Sequence, residues 1–169
     1  QGFIEVNSTE NIGTCFDLYF PSYLESSLEI DQVSEVIKGN GQYILFVDDE
    51  SAITQIVKQI LERLNYQVDC FNDSVYAYDC FIENQEKYDL IMTDMTMPKM
   101  TGIDLIQRIR LISKDIPIIL CTGYAETLTT ESIEKFQIND YMLKPISIQM
   151  ISQKLNNVFS AKQESEIKE

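Results

Sequence analysis

The sequence predicts a doubly wound α/β domain on a parallel sheet, preceded by a short β-hairpin. Three observations carry this. After Gly41, apolar runs of strand length alternate with stretches of helical period, the pattern of successive βαβ units. Before it, two stretches alternate at period two around Asn11-Ile12-Gly13, as in a two-stranded turn. The length of 169 residues, with 44% hydrophobic and 24% charged side chains, suits one globular domain with an appendage and excludes a disordered chain, a solenoid or a fibre. Such a chain holds a core by hydrophobic packing, without disulfides or a structural metal.

In chain order, Ile4 and Val6 mark the first hairpin strand, and Phe16, Leu18 and Phe20 the second. Pro21 ends it, because proline offers no ladder donor. Residues 22–41 are polar with isolated apolar positions and close on Gly39-Asn40-Gly41, which reads as a linker. The sheet strands follow at Tyr43–Val47, Gln67–Phe71, Leu90–Thr93, Ile116–Cys121 and Tyr141–Leu143. Ile53, Ile56, Val57, Ile60, Leu61 and Leu64 recur at three and four residues and give the first helix one apolar face. Asp73 or Ser74 caps a second helix ending before Tyr88, and Thr101-Gly102 opens a third through Ile103, Leu105, Ile106 and Ile109. A weaker fourth runs near Glu126 to Phe136, and Ile148, Ile151, Leu155, Val158 and Phe159 line a fifth. Right-handed crossovers place these helices on both faces of the sheet. The domain spans residues 42–160, and 161–169 read as a solvated tail.

Charge narrows the functional classes. Thirteen basic against twenty-seven acidic residues give a net charge of −14, a field that repels phosphate backbones and anionic headgroups. Nucleic acid and membrane surfaces are therefore poor partners. Cys15, Cys70, Cys80 and Cys121 form no C-x-x-C pair and the chain has no histidine, which removes the usual zinc sets and the Cys-His nucleophile. A reduced, cytoplasmic protein is expected, and no apolar run reaches the ~20 residues of a membrane span. The start at Gln1 rather than methionine is expected of a piece of something longer, whose upstream part is free to be membrane-anchored.

In a doubly wound sheet, functional groups gather beyond the carboxyl ends of the strands. Those positions hold Asp48, Asp49 and Glu50, then Asp94, Thr122, and Lys144-Pro145. Carboxylates packed together repel unless a hard cation joins them, and Mg²⁺ suits an all-oxygen set. A lysine and a hydroxyl beside them bind phosphoryl oxygens. Each piece alone has a plainer role: acids favour helix N-termini, threonine caps turns, and a lysine before proline is usually solvated. Their joint occurrence at successive strand ends is what points to a site.

Asp48-Asp49-Glu50, Asp94-Met-Thr-Met-Pro-Lys-Met-Thr-Gly102, Leu120-Cys121-Thr122-Gly123-Tyr124 and Tyr141-Met-Leu-Lys144-Pro145 resemble the motif set of response-regulator receiver domains over residues 42–160. The resemblance implies a flavodoxin-like five-stranded sheet of order 2-1-3-4-5. It implies that Asp94 accepts a phosphoryl group from phosphohistidine, and that Asp49, Asp94 and the Thr96 carbonyl bind Mg²⁺ directly, with Asp48 acting through water. Lys144 would pair with Asp94 and then with the phosphoryl group, across a cis bond to Pro145. Thr122 would move to the phosphoryl group and let Tyr141 rotate inward, an aspartyl phosphate of roughly two negative charges being the trigger. Thr96 and Tyr124 occupy the family's two lifetime-tuning positions; neither is a water-orienting carboxylate, so a long-lived phosphorylated state is expected.

Gly2-Phe-Ile-Glu-Val-Asn-Ser8 followed by Gly13-Thr14-Cys-Phe16-Asp-Leu-Tyr-Phe-Pro21 resembles the last two strands of a histidine-kinase ATP-binding domain. Residues 1–21 would then be the end of that domain and the whole the receiver of a hybrid sensor histidine kinase in a phosphorelay. The kinase's histidine, Asn-containing box and nucleotide lid do not occur in this sequence, so no nucleotide cofactor is expected and catalysis is confined to its own phosphorylation and dephosphorylation. The implied partners are the kinase core and a histidine phosphotransfer protein, with a homodimer as a further reading. No output domain is expected after Ser160, which leaves output to protein contacts. A phosphorylation-dependent docking or dimerisation module is the alternative class. A Mg²⁺-dependent phosphohydrolase is a third, set back because Thr96 stands where its second acid belongs. Nucleotide-binding glycine motifs are absent from the sequence. An isolated two-stranded hairpin is marginal, so it is expected to be poorly ordered or to pair with another copy or with the receiver.

Overall fold

The structure, a computed structural model, describes residues 2–21, 36–123 and 130–166. The chain forms two compact units divided after residue 34. In the first, β1 (Phe3–Thr9) and β2 (Gly13–Tyr19) pair antiparallel in the register Phe3↔Tyr19 to Thr9↔Gly13. Asn11 at φ 61° and Gly13 at φ 143° make the turn, a conformation these residue types tolerate. The strands pair with each other, and Phe3 stacks on Tyr19 at 4.3 Å. A ribbon has no second layer, so Phe3, Ile4, Val6, Phe16, Leu18 and Phe20 are exposed.

The second unit is the expected α/β domain. Its strands β3 (Tyr43–Val47), β4 (Gln67–Phe71), β5 (Leu90–Asp94), β6 (Ile118–Thr122) and β7 (Asp140–Leu143) form one parallel sheet ordered β4-β3-β5-β6-β7. The helices are α1 (Ser51–Arg63), α2 (Ser74–Glu83), α3 (Gly102–Arg110), α4 (Thr130–Lys135) and α5 (Ile148–Glu166). Central β5 and β6 are buried throughout, as a sheet covered on both faces requires. Side chains alternate across each strand: Ile44, Phe46 and Met92 pack with Val57, Leu61, Ile151 and Leu155 from α1 and α5. Leu45, Val47 and Ile91 pack with Phe81, Leu105 and Ile109 from α2 and α3.

Boundaries differ from the sequence reading chiefly in three places, besides one-residue shifts in β5, β6 and β7, and the fourth helix's expected start near Glu126 lies outside the described residues. Helix α5 continues to Glu166, so 161–166 are helical rather than tail. Residues 36–41, read as linker, belong to the second unit and pack on it, while 22–35 lie outside the described residues. Strand β6 starts at Ile118, because Pro117 cannot donate to the ladder.

Two polar anchors hold the sheet margins. Arg110 at the end of α3 donates to the carbonyls of Ile116 (2.7 Å) and Gln137 (2.7 Å), joining the entry to β6 with the exit from α4. On edge strand β4, Asp69 accepts from Lys87 (2.5 Å), Tyr88 (2.7 Å) and Tyr43 (3.0 Å). Partial burial would raise the Asp69 carboxyl, but these three donors outweigh it and hold its pKa below the usual value. Asp69 therefore contributes stability that is complete above the unfolded pKa of about 3.9 and is lost as pH falls through the lower folded value. Urea unfolding should show Asp69→Asn less stable than the parent at pH 7, with the gap closing below about pH 4. A gap that stays constant across that range would deny the carboxylate this role.

Candidate functional site

Parallel strands bring their carboxyl ends to one edge, and the register fixes who meets there. Val47 lies opposite Thr93, Asp94 opposite Cys121, and Thr122 opposite Leu143. The next residue after β3, Asp48, therefore stands beside Asp94. Asp48 is fully buried and Asp94 5% exposed, a costly position for two carboxylates without a cation. Lys144, just past β7, supplies one: its ammonium lies 2.8 Å from Asp48 Oδ2 and 2.6 Å from Asp94 Oδ1. The remaining oxygens accept backbone donors, Asp48 Oδ1 from the Glu50 N–H at 2.9 Å and Asp94 Oδ2 from the Thr96 N–H at 2.8 Å. All four carboxylate oxygens are thus engaged.

Burial by itself would depress the Lys144 ammonium, but its hydrogen bonds to Asp48 and Asp94 and their charges prevail, so its pKa lies well above the ordinary lysine value. Lys144 is a permanent cation at neutral pH. The Cys121 thiol, between the strand ends, is driven far up by burial and by the charge of Asp94, which favours its protonated form.

The acids do not serve as helix caps. Glu50 is the N-cap of α1 and makes no side-chain capping bond, whereas α2 is capped by Asp73, and α3 by a capping box of Thr101 and Asp104. Of the predicted residues, the structure brings Asp48, Asp94 and Lys144 into contact and ends β6 on buried Thr122, whose carbonyl accepts from the Lys144 N–H at 2.8 Å. Asp49 and Thr96 are exposed beside them, and Tyr141 is half-buried with Lys154 over its ring at 5.5 Å. The Lys144–Pro145 bond is cis. Tyr124 lies outside the described residues.

The donor set suits a hard cation in kind, since carboxylate and carbonyl oxygens are what Mg²⁺ takes. Among the described residues, however, no three Asp, Glu, Cys or His side chains gather around one point. Asp48 and Asp94 are turned to the ammonium of Lys144 instead, so an incoming cation would share them with it and draw on exposed Asp49.

Residues 44–156 match the family model of the response regulator receiver domain. The chain belongs to the receiver-domain family. It is 36% identical to the chemotaxis protein CheY1 of Helicobacter pylori over 68% of this chain and 94% of that protein. It is 30% identical to the 3',5'-cyclic-nucleotide phosphodiesterase regA of Dictyostelium discoideum over 80% of this chain but only 18% of that larger protein. It also spans only 28% of the two-component response regulator ARR14 of Arabidopsis thaliana. A receiver domain from Clostridium thermocellum superposes with a TM-score of 0.67 at 32% identity, covering 72% of this chain and 97% of that one. The receiver TrrA of Thermotoga maritima, solved in complex with Mg²⁺ and BeF, superposes at 0.63 with 28% identity over 69% and 98% of the two chains.

Sequence reasoning missed the groups that steady this receiver's acidic loops. Asn72 donates to the Asp48 carbonyl at 2.7 Å and to Thr54 Oγ1 at 3.1 Å, tying the end of β3 to α1. Ser74, buried at the start of α2, donates to the Met100 carbonyl at 2.8 Å, and Asp73 pairs with Lys99 at 2.5 Å. Both bonds pin the loop that follows Asp94. The signal was visible only as Asp73 or Ser74, read as a helix cap, and Asn72 carried none.

Gly102 holds that loop from the other side. A Cβ there would run into the backbone carbonyl of Asp94, so the glycine is required by close approach. Gly102→Ala should push the end of β5 outward and cost about 1–3 kcal/mol of stability in urea unfolding. A variant as stable as the parent would show that α3 can withdraw without strain.

Proposed function

We propose that Asp94 is the phosphoacceptor of this receiver, taking a phosphoryl group from a phosphohistidine, and that the chain is the receiver of a hybrid sensor histidine kinase. The arrangement of Asp94 carries the reading. Its carboxylate stands at the end of a central strand with one oxygen on the Lys144 ammonium and the other on the Thr96 N–H. In the transfer, an Asp94 oxygen forms the new O–P bond as the N–P bond of the donor breaks. The departing imidazole nitrogen takes a proton from solvent. Such a transfer asks mainly for alignment and for neutralising charge on the phosphoryl oxygens.

Lys144 meets that need with a charge already placed within 3 Å of both acids. Thr122, the buried residue that ends β6, would hydrogen-bond the phosphoryl group, and the half-buried ring of Tyr141 is the group whose rotation would report it. Mg²⁺, when bound, would supply further charge neutralisation for the phosphoryl oxygens. Asp49, Asp94 and the Thr96 carbonyl would hold it, with Asp48 through water.

Support for a phosphohistidine-bearing protein as donor comes from the surface beside the acids. Ile53, Ile56 and Val57 of α1 and Pro145 and Ile146 of the next loop line a small apolar recess of about 190 Å³ next to Lys144. An apolar patch beside charged groups is the kind of surface a protein partner's apolar core and polar rim would cover. The hybrid-kinase context rests on the resemblance of residues 1–21 to the closing strands of a kinase ATP-binding domain, which β1 and β2 would form.

Intact mass after incubation with acetyl phosphate, with and without Mg²⁺, tests the acceptor. One Mg²⁺-dependent, base-labile phosphoryl adduct is expected on the parent and none on Asp94→Asn. An adduct that persists in the variant would move the acceptor elsewhere. A folded parent that takes up no phosphoryl group, even from a phosphohistidine donor, would favour a docking module.

A further inference from the structure

Six residues read from sequence as linker are bound to the receiver as firmly as a strand. Ile37 gives both backbone groups to one side chain: its N–H donates to Ser152 Oγ at 2.8 Å, and Ser152 Oγ donates to its carbonyl at 2.9 Å. Ser152 is 2% exposed, in the second turn of α5. Two residues on, the Gly39 N–H donates to the Leu64 carbonyl at 2.8 Å and its carbonyl accepts from Asn65 Nδ2 at 2.8 Å, both at the end of α1. The Gly41 N–H donates to the Asn65 carbonyl at 3.0 Å. Gly39 lies flat on the Tyr66 ring, where a Cβ would collide, and Tyr66 stacks on Phe159 of α5 at 5.9 Å. Val36 packs against the core between the two helices.

This strap satisfies two anchors at once, α1 through Leu64 and Asn65 and α5 through Ser152. Its hydrogen bonds fit one placement of α5 against α1 and are lost when that placement changes. The same helix begins four residues after Lys144, the group that bridges the two carboxylates. We propose that the strap is a latch, closed while Lys144 is held by Asp48 and Asp94, and opened when an anion on Asp94 draws Lys144 away and shifts the root of α5. The inference rests on the phosphoacceptor reading. Opening frees residues 36–41, a segment whose fully extended span is about 20 Å.

The test uses the full chain with Mg²⁺ and beryllofluoride, the pair bound in the Thermotoga relative, as the probe of an occupied acid site. ¹⁹F NMR reports occupancy, and amide exchange reports the strap at Ile37 and Gly39. Occupancy should speed exchange of both amides about fivefold or more, with the Leu45 and Ile91 amides unchanged. Because coupling is reciprocal, Ser152→Ala should open the strap without ligand and tighten beryllofluoride binding severalfold. Ile37→Pro, which deletes the donor from an exposed position outside the core, should do the same and stands in if Ser152→Ala disturbs the fold. A ¹⁹F-occupied site with unchanged Ile37 and Gly39 exchange overturns the latch and leaves the acceptor reading intact, as do strap variants that bind the probe like the parent. Absence of any bound ¹⁹F signal overturns the acceptor reading, and the latch with it.

Discussion

The receiver is organised around one ammonium shared by two carboxylates. Asp48 is fully buried and Asp94 nearly so, on adjacent strands. Without Lys144 each would face the other across a medium of low polarity, and removing one partner from such a cluster typically costs 3–5 kcal/mol. The cluster is nonetheless a poor way to gain stability, because well-packed apolar groups usually do as well. Its presence is better explained by what it can exchange. Every oxygen has a partner, and the partners are an ammonium and two backbone N–H groups. A cation would compete for the oxygens and a phosphoryl group for the ammonium, so either would take up a partner that the exchange frees.

The surrounding fold keeps that exchange local. Residues after Asp94 are pinned by Ser74 and Lys99 from one side and by the close approach of Gly102 from the other. Asn72 fixes the carbonyl of Asp48. None of these groups carries charge into the pocket; each removes freedom from the backbone that presents the acids. Among the three groups of the cluster, Lys144 is the one solvent reaches, its side chain being 21% exposed while the acids it joins are buried.

How much of this was legible follows from the range of the contacts involved. The strands and the residues beyond their ends are local patterns: a short run such as Leu90–Thr93 announces both a buried strand and the acid that follows it, whereas the strand order came only with the family resemblance. Asp94 and Lys144 are readable because parallel strands send their carboxyl ends to one edge, whatever the side chains between. The Ile37–Ser152 bridge joins residues 115 apart, and Asn72 reaches Asp48 across 24; a serine in a helix and an asparagine in a turn carry no mark of such partners. Gly39 and Gly41 read as loop punctuation for the same reason. Their lack of a side chain was visible, but the Tyr66 ring that demands it at Gly39 was not. The extension of α5 past Ser160 was hidden differently, since a polar run suits the end of a helix as well as a tail.

Read together, the two ends of one short path explain why α5 is the element through which the site can reach the rest of the chain. Its root follows Lys144, and its second turn holds the strap. The first contact is electrostatic and sensitive to charge on Asp94. The second is a pair of hydrogen bonds to a buried hydroxyl, sensitive to displacements of less than an ångström because such bonds weaken steeply with distance and angle. A helix is stiff along its axis, so a shift at the root arrives at Ser152 undiminished about one turn later. Each bond in the strap is worth only about 1 kcal/mol net, small against a domain's stability and comparable to the coupling that links two sites in switching proteins. The strap can therefore open without the receiver unfolding, which a latch set into the core could not.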